Sequence, residues 1–244
     1  MSTRIAVVTG ATRGIGRGLF QRLAAAGCVV ASTYHRDEEA AEGFRVLAKQ
    51  AGIDSVLSKV DVADLPSLQA FIQNVMERFG RVDYLINNVG VDDFQQVYDL
   101  TLEDWRRSQD VILNAPFVLM KAVLPRMRLQ RFGRIVNIGA SSNNYFGGVR
   151  NAAAFGVHKA ALAVLTRTVA LEELGHGITV NMVSPGSTAG AGILPEEERI
   201  PISRIPLGRR VSVEEVVHAI MYFLSDSATG VTGQVLAING GLST

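Results

Sequence analysis

The run Thr9-Gly10-Ala11-Thr12-Arg13-Gly14-Ile15-Gly16 stands between a β-branched stretch and a segment whose apolar positions, Leu19, Phe20 and Leu23, have helical spacing. Glycines there let the chain turn tightly and bring backbone amides close to a pyrophosphate, which the positive end of the following helix attracts. The chemistry implied is the binding of a dinucleotide. A glycine pattern alone is weak evidence, and its plain reading is a tight turn; its place between strand and helix, at the start of an alternating chain, points to the ligand. The second β-branched stretch ends at Thr33-Tyr34-His35-Arg36. A sheet of this kind that prefers NAD presents a carboxylate to the adenine ribose there, and Tyr34 occupies that position. Arg36, His35 and Arg13 can surround a 2′-phosphate that an aspartate would repel, so the expected cofactor is NADPH.

Such a site needs strands to carry it. Ile5 to Val8, Val29 to Thr33, Ser55 to Val60, Asp83 to Ile86, Arg134 to Ile138, Thr179 to Val183 and Val235 to Ile238 read as strands, with helical patterns between most of them. Seven strands and their crossovers predict an α/β, doubly wound fold with a seven-stranded parallel sheet flanked by helices. Thr101 with Asp104, and Ser212 with Glu215, mark helix starts in which a capping side chain is followed three residues later by an acid. No repeat, low-complexity stretch or linker interrupts the chain, and a single domain over residues 1–244 is expected. The least regular part, Gly186 to Pro206, contains Gly190, Gly192, Pro195 and Pro201, which suits a flap over a site.

Composition narrows the classes of function. Lysine plus arginine (24) nearly balances aspartate plus glutamate (23), so nothing draws the chain to nucleic acid or to an anionic membrane. The one cysteine, Cys28, rules out an internal disulfide. Neither a signal-type start nor an uninterrupted apolar run of spanning length is visible. A cytoplasmic protein without a metal site is expected.

With these motifs go Asp61-Val62 after the third strand, Asn87-Asn88-Val89-Gly90 after the fourth, Asn114 inside a helix, Lys159, Ser184-Pro185-Gly186 after the sixth strand and Asn239-Gly240-Gly241 near the end. Together they resemble, from end to end, the short-chain dehydrogenase/reductase family, of the type that includes the 3-oxoacyl-(acyl-carrier-protein) reductases. The resemblance implies a Rossmann-type fold whose cofactor cleft takes Gly10, Thr12, Arg13, Gly14, Ile15, Gly16, Tyr34, His35 and Arg36. It implies that Asp61 and Val62 contact the adenine, that Asn88 and Gly90 border the adenosine half, and that Lys159 holds the nicotinamide ribose hydroxyls. Asn114 would bend its helix around a water joining Lys159 to solvent, and Pro185 and Gly186 would lie against the nicotinamide ring.

The resemblance also implies a tyrosine four residues before the lysine, on the same helical face. The ammonium draws such a phenol's pKa toward the working pH and makes it a proton donor to a carbonyl receiving hydride. In this chain the position is Phe155, which can neither donate a proton nor hydrogen-bond the substrate. The family's serine falls at Ala140 when counted from the fifth strand and at Ser142 when counted back from Phe155. Ser142 is the favoured candidate, with Ser141 beside it, and both also suit plain loop roles. Tyr145, or a water held by Asn114 and Lys159, can replace the missing donor. His158, beside Lys159 and about 100° round the helix from it, reads as a surface or interface residue.

Three explanations of Phe155 stay open: a Tyr→Phe substitution in a working reductase, a divergent reductase acting on a conjugated enone, and a silent binding protein. The expected function is an NADPH-dependent reductase transferring hydride to a carbonyl or enone of a small or acyl-type substrate. The alternative is a catalytically silent NADP-binding or scaffolding subunit. Ile193, Leu194, Ile200 and Ile202 suggest an apolar lid or ordinary packing. Arg126, Arg128, Arg131 and Arg134 suggest an acyl-carrier protein as partner, or compensation of a helix dipole. Relatives in the family are commonly tetramers, and Leu162, Val164, Leu165 and Val169 suit a helix buried on more than one face.

Overall fold

Residues 3–91, 94–140, 150–190 and 200–242 are described by the computed structural model. The β-branched runs form β1 (Ile5–Thr9), β2 (Val29–Tyr34), β3 (Ser55–Lys59), β4 (Tyr84–Asn87), β5 (Gly133–Ile138) and β6 (Ile178–Pro185). Short β7 (Thr188–Ala189) and β8 (Val211–Ser212) pair with each other, and β9 (Val235–Ile238) completes the main sheet. That sheet is parallel throughout, in the order β3-β2-β1-β4-β5-β6-β9. Each expected strand forms, displaced at its ends by no more than a residue or two. Between β1 and β4 the winding changes direction, which leaves a crevice at the carboxyl ends of the strands.

Helices cover both faces, as buried parallel strands require. On one face α1 (Gly14–Ala25) and α7 (Val213–Leu224) bury Leu19, Phe20, Val217 and Ile220. Gly18 lets them approach, since a Cβ there would come within 2.8 Å of Val213. On the other face lie α3 (Leu65–Phe79), α5 (Ala115–Gln130) and α6 (Ala153–Glu173), with Leu68, Ile72, Leu119, Val123 and Val169 inside. The remaining helices are α2 (Glu38–Gln50) and α4 (Leu102–Gln109). Both predicted caps form: Thr101 accepts the amide of Asp104, and Ser212 with Glu215 makes a complete capping box. Helix α6 with its terminal turn, Ala153–His176, is long and apolar enough to cross a membrane by length and composition, yet it packs on β6 and buries Leu162 and Ala163.

A buried polar ladder ties the centre of the sheet to α6. The Asn87 amide donates to Asn137 Oδ1 (2.7 Å), Asn137 donates to Thr166 Oγ1 (2.9 Å), and that hydroxyl donates to the Leu162 carbonyl (2.7 Å). Thr166 and Asn137 are fully buried, so any other rotation of α6 would strand these groups without partners. Between α4 and α5 a π-helical turn, Asp110–Asn114, places Asn114 at the kink, where its amide donates to Asp110 Oδ1 (2.7 Å). Sequence reasoning places a bend at Asn114, and here a neighbouring carboxylate holds that side chain.

Two expectations change once the chain is folded. His158 is buried, not superficial: it does point away from Lys159, but α4 covers that face, with Ser108 Oγ 3.1 Å from Nδ1 and Trp105 edge-on. Burial pushes its pKa below the usual imidazole value. Of the arginines read as a carrier-facing cluster, Arg134 is buried against Gly133 and Gly177 carbonyls, and Arg128 pairs with buried Glu173.

Candidate active site

A cavity of about 660 Å³ runs along the crevice across the carboxyl ends of the central strands. The turn after β1 forms its floor. Gly10 and Gly14 have φ of 69° and 53°, and Gly16 approaches the backbone so closely that a Cβ would sit 2.2 Å from the Gly10 carbonyl oxygen. Only glycine fits there. The Arg13 side chain makes no cap hydrogen bond to α1, which leaves the helix amino end facing the cavity that Gly10, Thr12, Arg13 and Ile15 line. That is the cradle a pyrophosphate takes. Asn88 fastens β4 to this turn, its amide donating to the carbonyls of Thr9 (2.9 Å) and Gly10 (3.2 Å).

The end beyond β2 and β3 is ionic. Tyr34, His35, Arg36, Asp61 and Val62 line it, and Asp37 and Arg107 join them. The Tyr34 hydroxyl turns to Glu38 (2.9 Å), which Lys59 also holds, so the ring alone is left to the cavity. Asp61 accepts the Ala63 amide (3.1 Å) and the Arg107 guanidinium (3.0 Å), with His35 Nε2 3.4 Å away. Burial alone would raise its pKa, but the Ala63 amide and Arg107, with His35 adding, outweigh that and hold the carboxyl below its usual range. Arg107 comes from α4, 46 residues further along the chain. No local pattern connects the two, and only the packed helix brings them together.

The end beyond β4, β5 and β6 is mostly apolar. Gly90, Val91, Phe94, Ile138, Ala140, Phe155, Lys159, Pro185 and Gly186 line it, with Ser187, Thr188 and Ile200. Phe155 faces the cavity, its ring centroid 5.2 Å from that of Phe94. Lys159 lies one turn further on the same face, and its ammonium donates to the Ile138 carbonyl at the end of β5. A Cβ on Gly90 would be 3.7 Å from that nitrogen. Lys159 is the one titratable side chain among the described residues of this wall. Phe94 escapes sequence reasoning because its segment has no period; an aromatic residue soon after Gly90 is the only signal.

Of the predicted site residues, Gly14 and Gly16 shape the turn without lining the cavity, and Asn114 lies outside its wall, bonded to Asp110. Ser141, Ser142 and Tyr145, and the flap from 191 to 199, lie outside the described residues. Among the described residues no group of three His, Cys, Asp or Glu side chains could hold a metal ion.

Comparisons with known proteins agree with this fold. The family model described as Enoyl-(Acyl carrier protein) reductase matches residues 10–243. The Bacillus subtilis protein YtkK is 35% identical over 98% of this chain and 96% of its own. The 3-oxoacyl-(acyl-carrier-protein) reductase FabG of Escherichia coli is 32% identical over 98% of this chain and 97% of its own. Among solved structures, acetoin dehydrogenase YohF from Salmonella typhimurium superposes with a TM-score of 0.88 at 32% identity, covering 99% of this chain and 96% of that one.

Proposed function

The chain belongs to the short-chain dehydrogenase/reductase family, and from that premise we propose that it is an NADPH-dependent reductase acting on a carbonyl or a conjugated enone. The observation that carries the proposal is one continuous cavity that joins a dinucleotide cradle to an apolar wall holding Lys159. The nicotinamide, when bound, supplies hydride. The glycine turn and the α1 amides hold the pyrophosphate, Arg13 and Arg36 meet the 2′-phosphate, and Asp61 and Val62 border the adenine. Lys159 holds the ribose hydroxyls, and Pro185 and Gly186 back the nicotinamide.

Phe155 occupies the place of the family's tyrosine in this reading, so proton delivery passes to another donor. Phe94 and Phe155 contact each other, their ring centroids 5.2 Å apart and their planes tilted by 35°, and the aromatic surface they present together to the cavity favours a flat, unsaturated substrate that can stack on it. An enone fits further, since it accepts hydride at a carbon remote from its oxygen. Gly186 to Pro206 is read as the substrate flap, and an acyl group is compatible with the wall. Exposed Phe117, Val157, Val164 and Leu171 on α5 and α6 support assembly as a homotetramer. Arg126 and Arg131 remain exposed for an acidic carrier protein.

The test is single-turnover loss of NADPH absorbance with β-ketoacyl thioesters, cyclic ketones and enones. Oxidation by at least one class is expected; none by any would favour a silent NADP-binding subunit. In an active protein Phe155→Tyr should raise ketone reduction about a hundredfold or more, and an unchanged rate would show that a phenol has no place in this site.

A further inference from the structure

Where the nicotinamide wall lacks a phenol, it still carries hydroxyls, and two of them belong to described residues. Thr188 Oγ1 donates to the Gly186 carbonyl (3.0 Å), so its proton is engaged. Ser187 is placed differently. It follows Pro185-Gly186 on the cavity wall, and its Oγ accepts a hydrogen bond from Arg210 Nε at 2.9 Å. A serine hydroxyl has one proton and two lone pairs. With one lone pair taken by a guanidinium, its proton remains to be given, and no acceptor among the described residues takes it.

We propose that Ser187 is the hydrogen-bond donor to the substrate's carbonyl oxygen, with Arg210 as the residue that positions and polarises it. The proposal rests on the reductase reading above. As hydride adds to the carbonyl carbon, or to the β-carbon of an enone, the displaced electron pair moves onto oxygen. Ser187 donates to that oxygen, and solvent water supplies the proton that completes the alcohol or the saturated ketone. A cation bonded to Oγ makes the O–H a stronger donor as charge develops.

The surroundings hold this donor still. The Ser187 carbonyl accepts the Val211 amide (3.2 Å), and β7 pairs with β8 directly after it. Beyond β8, Arg209 makes two 2.9 Å bonds to Glu215, whose carboxylate also accepts the Ser212 amide (2.7 Å). Arg209 Nη1 donates to the Arg210 carbonyl as well (3.0 Å). The segment that carries Arg210 is therefore pinned to the start of α7, and a fixed donor costs no reorganisation when charge appears.

The experiment uses the full chain with NADP⁺, which cannot deliver hydride, and 2-cyclohexenone as probe. The infrared stretch of its carbonyl is expected to move to lower frequency on binding, and to return toward the solution value in Ser187→Ala and in Arg210→Gln, with Arg210→Lys restoring part of the shift. In turnover, Ser187→Ala should lower kcat roughly a hundred- to a thousandfold, as loss of one such donor does, with KM for NADPH unchanged. No shift in the unaltered protein, a shift kept in Ser187→Ala, or one lost in Ser142→Ala alone would overturn the proposal. A shift that depends on Ser187 without any NADPH oxidation would leave this site standing and remove the reductase reading instead.

Discussion

The two ends of the cavity rise from the same row of strand ends but are made of opposite materials. Beyond β2 and β3 the wall carries Arg36, Asp37, Asp61 and Arg107; beyond β4 to β6 it carries Val91, Phe94, Phe155 and Ile200, with Lys159 the one charge among the described residues. The difference separates two tasks. The ionic end can recognise a ligand by charge at a distance, whereas the apolar end must act through contact, shape and a very few donors, each of which counts for more in a dry environment.

That contrast can be broken most forcefully at the turn both ends share. Gly16→Ala puts a methyl group 2.2 Å from the Gly10 oxygen, and NADP⁺ affinity by calorimetry should fall roughly a hundredfold or more. Gly156→Ala beside Phe155, where a Cβ meets none of the described residues within 4 Å, should leave affinity alone and stabilise α6 by about 1 kcal/mol. At the ionic end, Arg36→Asp should weaken NADP⁺ about ten- to a hundredfold while changing NAD⁺ little, given the worth of a charged hydrogen bond. Equal losses for both would show that the arginine does not read the 2′-phosphate.

Smaller effects test the supports. Ser212→Ala removes the cap of α7; it should cost about 1 kcal/mol, or about 2–4 °C in Tm for a chain of this size. The same capping box has an acid signature. Arg209, then the Ser212 amide, lower the Glu215 pKa to about 2. Its contribution is whole above the unfolded value near 4.5 and is lost as pH falls from there through about 2, so Glu215→Gln should matter less at pH 2 than at pH 7. His158 works in a different range. Its folded pKa lies below the unfolded value of about 6.5, so the unfolded chain takes the proton first and stability drops as pH falls below about 6.5. A urea midpoint that declines from pH 8 to pH 5.5, and declines less in His158→Gln, is the expected result.

The parts of this molecule legible in its sequence obey local rules. Strand runs, the Gly10–Gly16 turn and the caps at Thr101 and Ser212 depend on neighbours within a few residues, and they stand where they were expected. What escaped depends on packing across the fold. Helical spacing tells that His158 faces away from Lys159, but not that α4 lies on that side. Charge tells that Arg128 and Arg134 are basic, but not that Glu173 and backbone carbonyls wait beneath them. Arg107 reaches Asp61 only because α4 packs within reach of the turn after β3. Ser187 lies in the irregular run that starts at Gly186; its bond to Arg210 joins residues 23 apart through a strand pair of two residues each.

The ladder from Asn87 through Asn137 to Thr166 bears on how such a site changes over generations. Thr166 lies seven residues after Lys159, almost two full turns, so both occupy one stripe of α6. The ladder sets the rotational phase of that helix from a point well away from the reactive face. A swap at position 155 therefore leaves the alignment of the helix undisturbed, and under the proposed reading the same scaffold gains or sheds a phenol in one mutational step. Modularity of this kind makes Phe155 a cheap experiment for evolution, and equally for the bench.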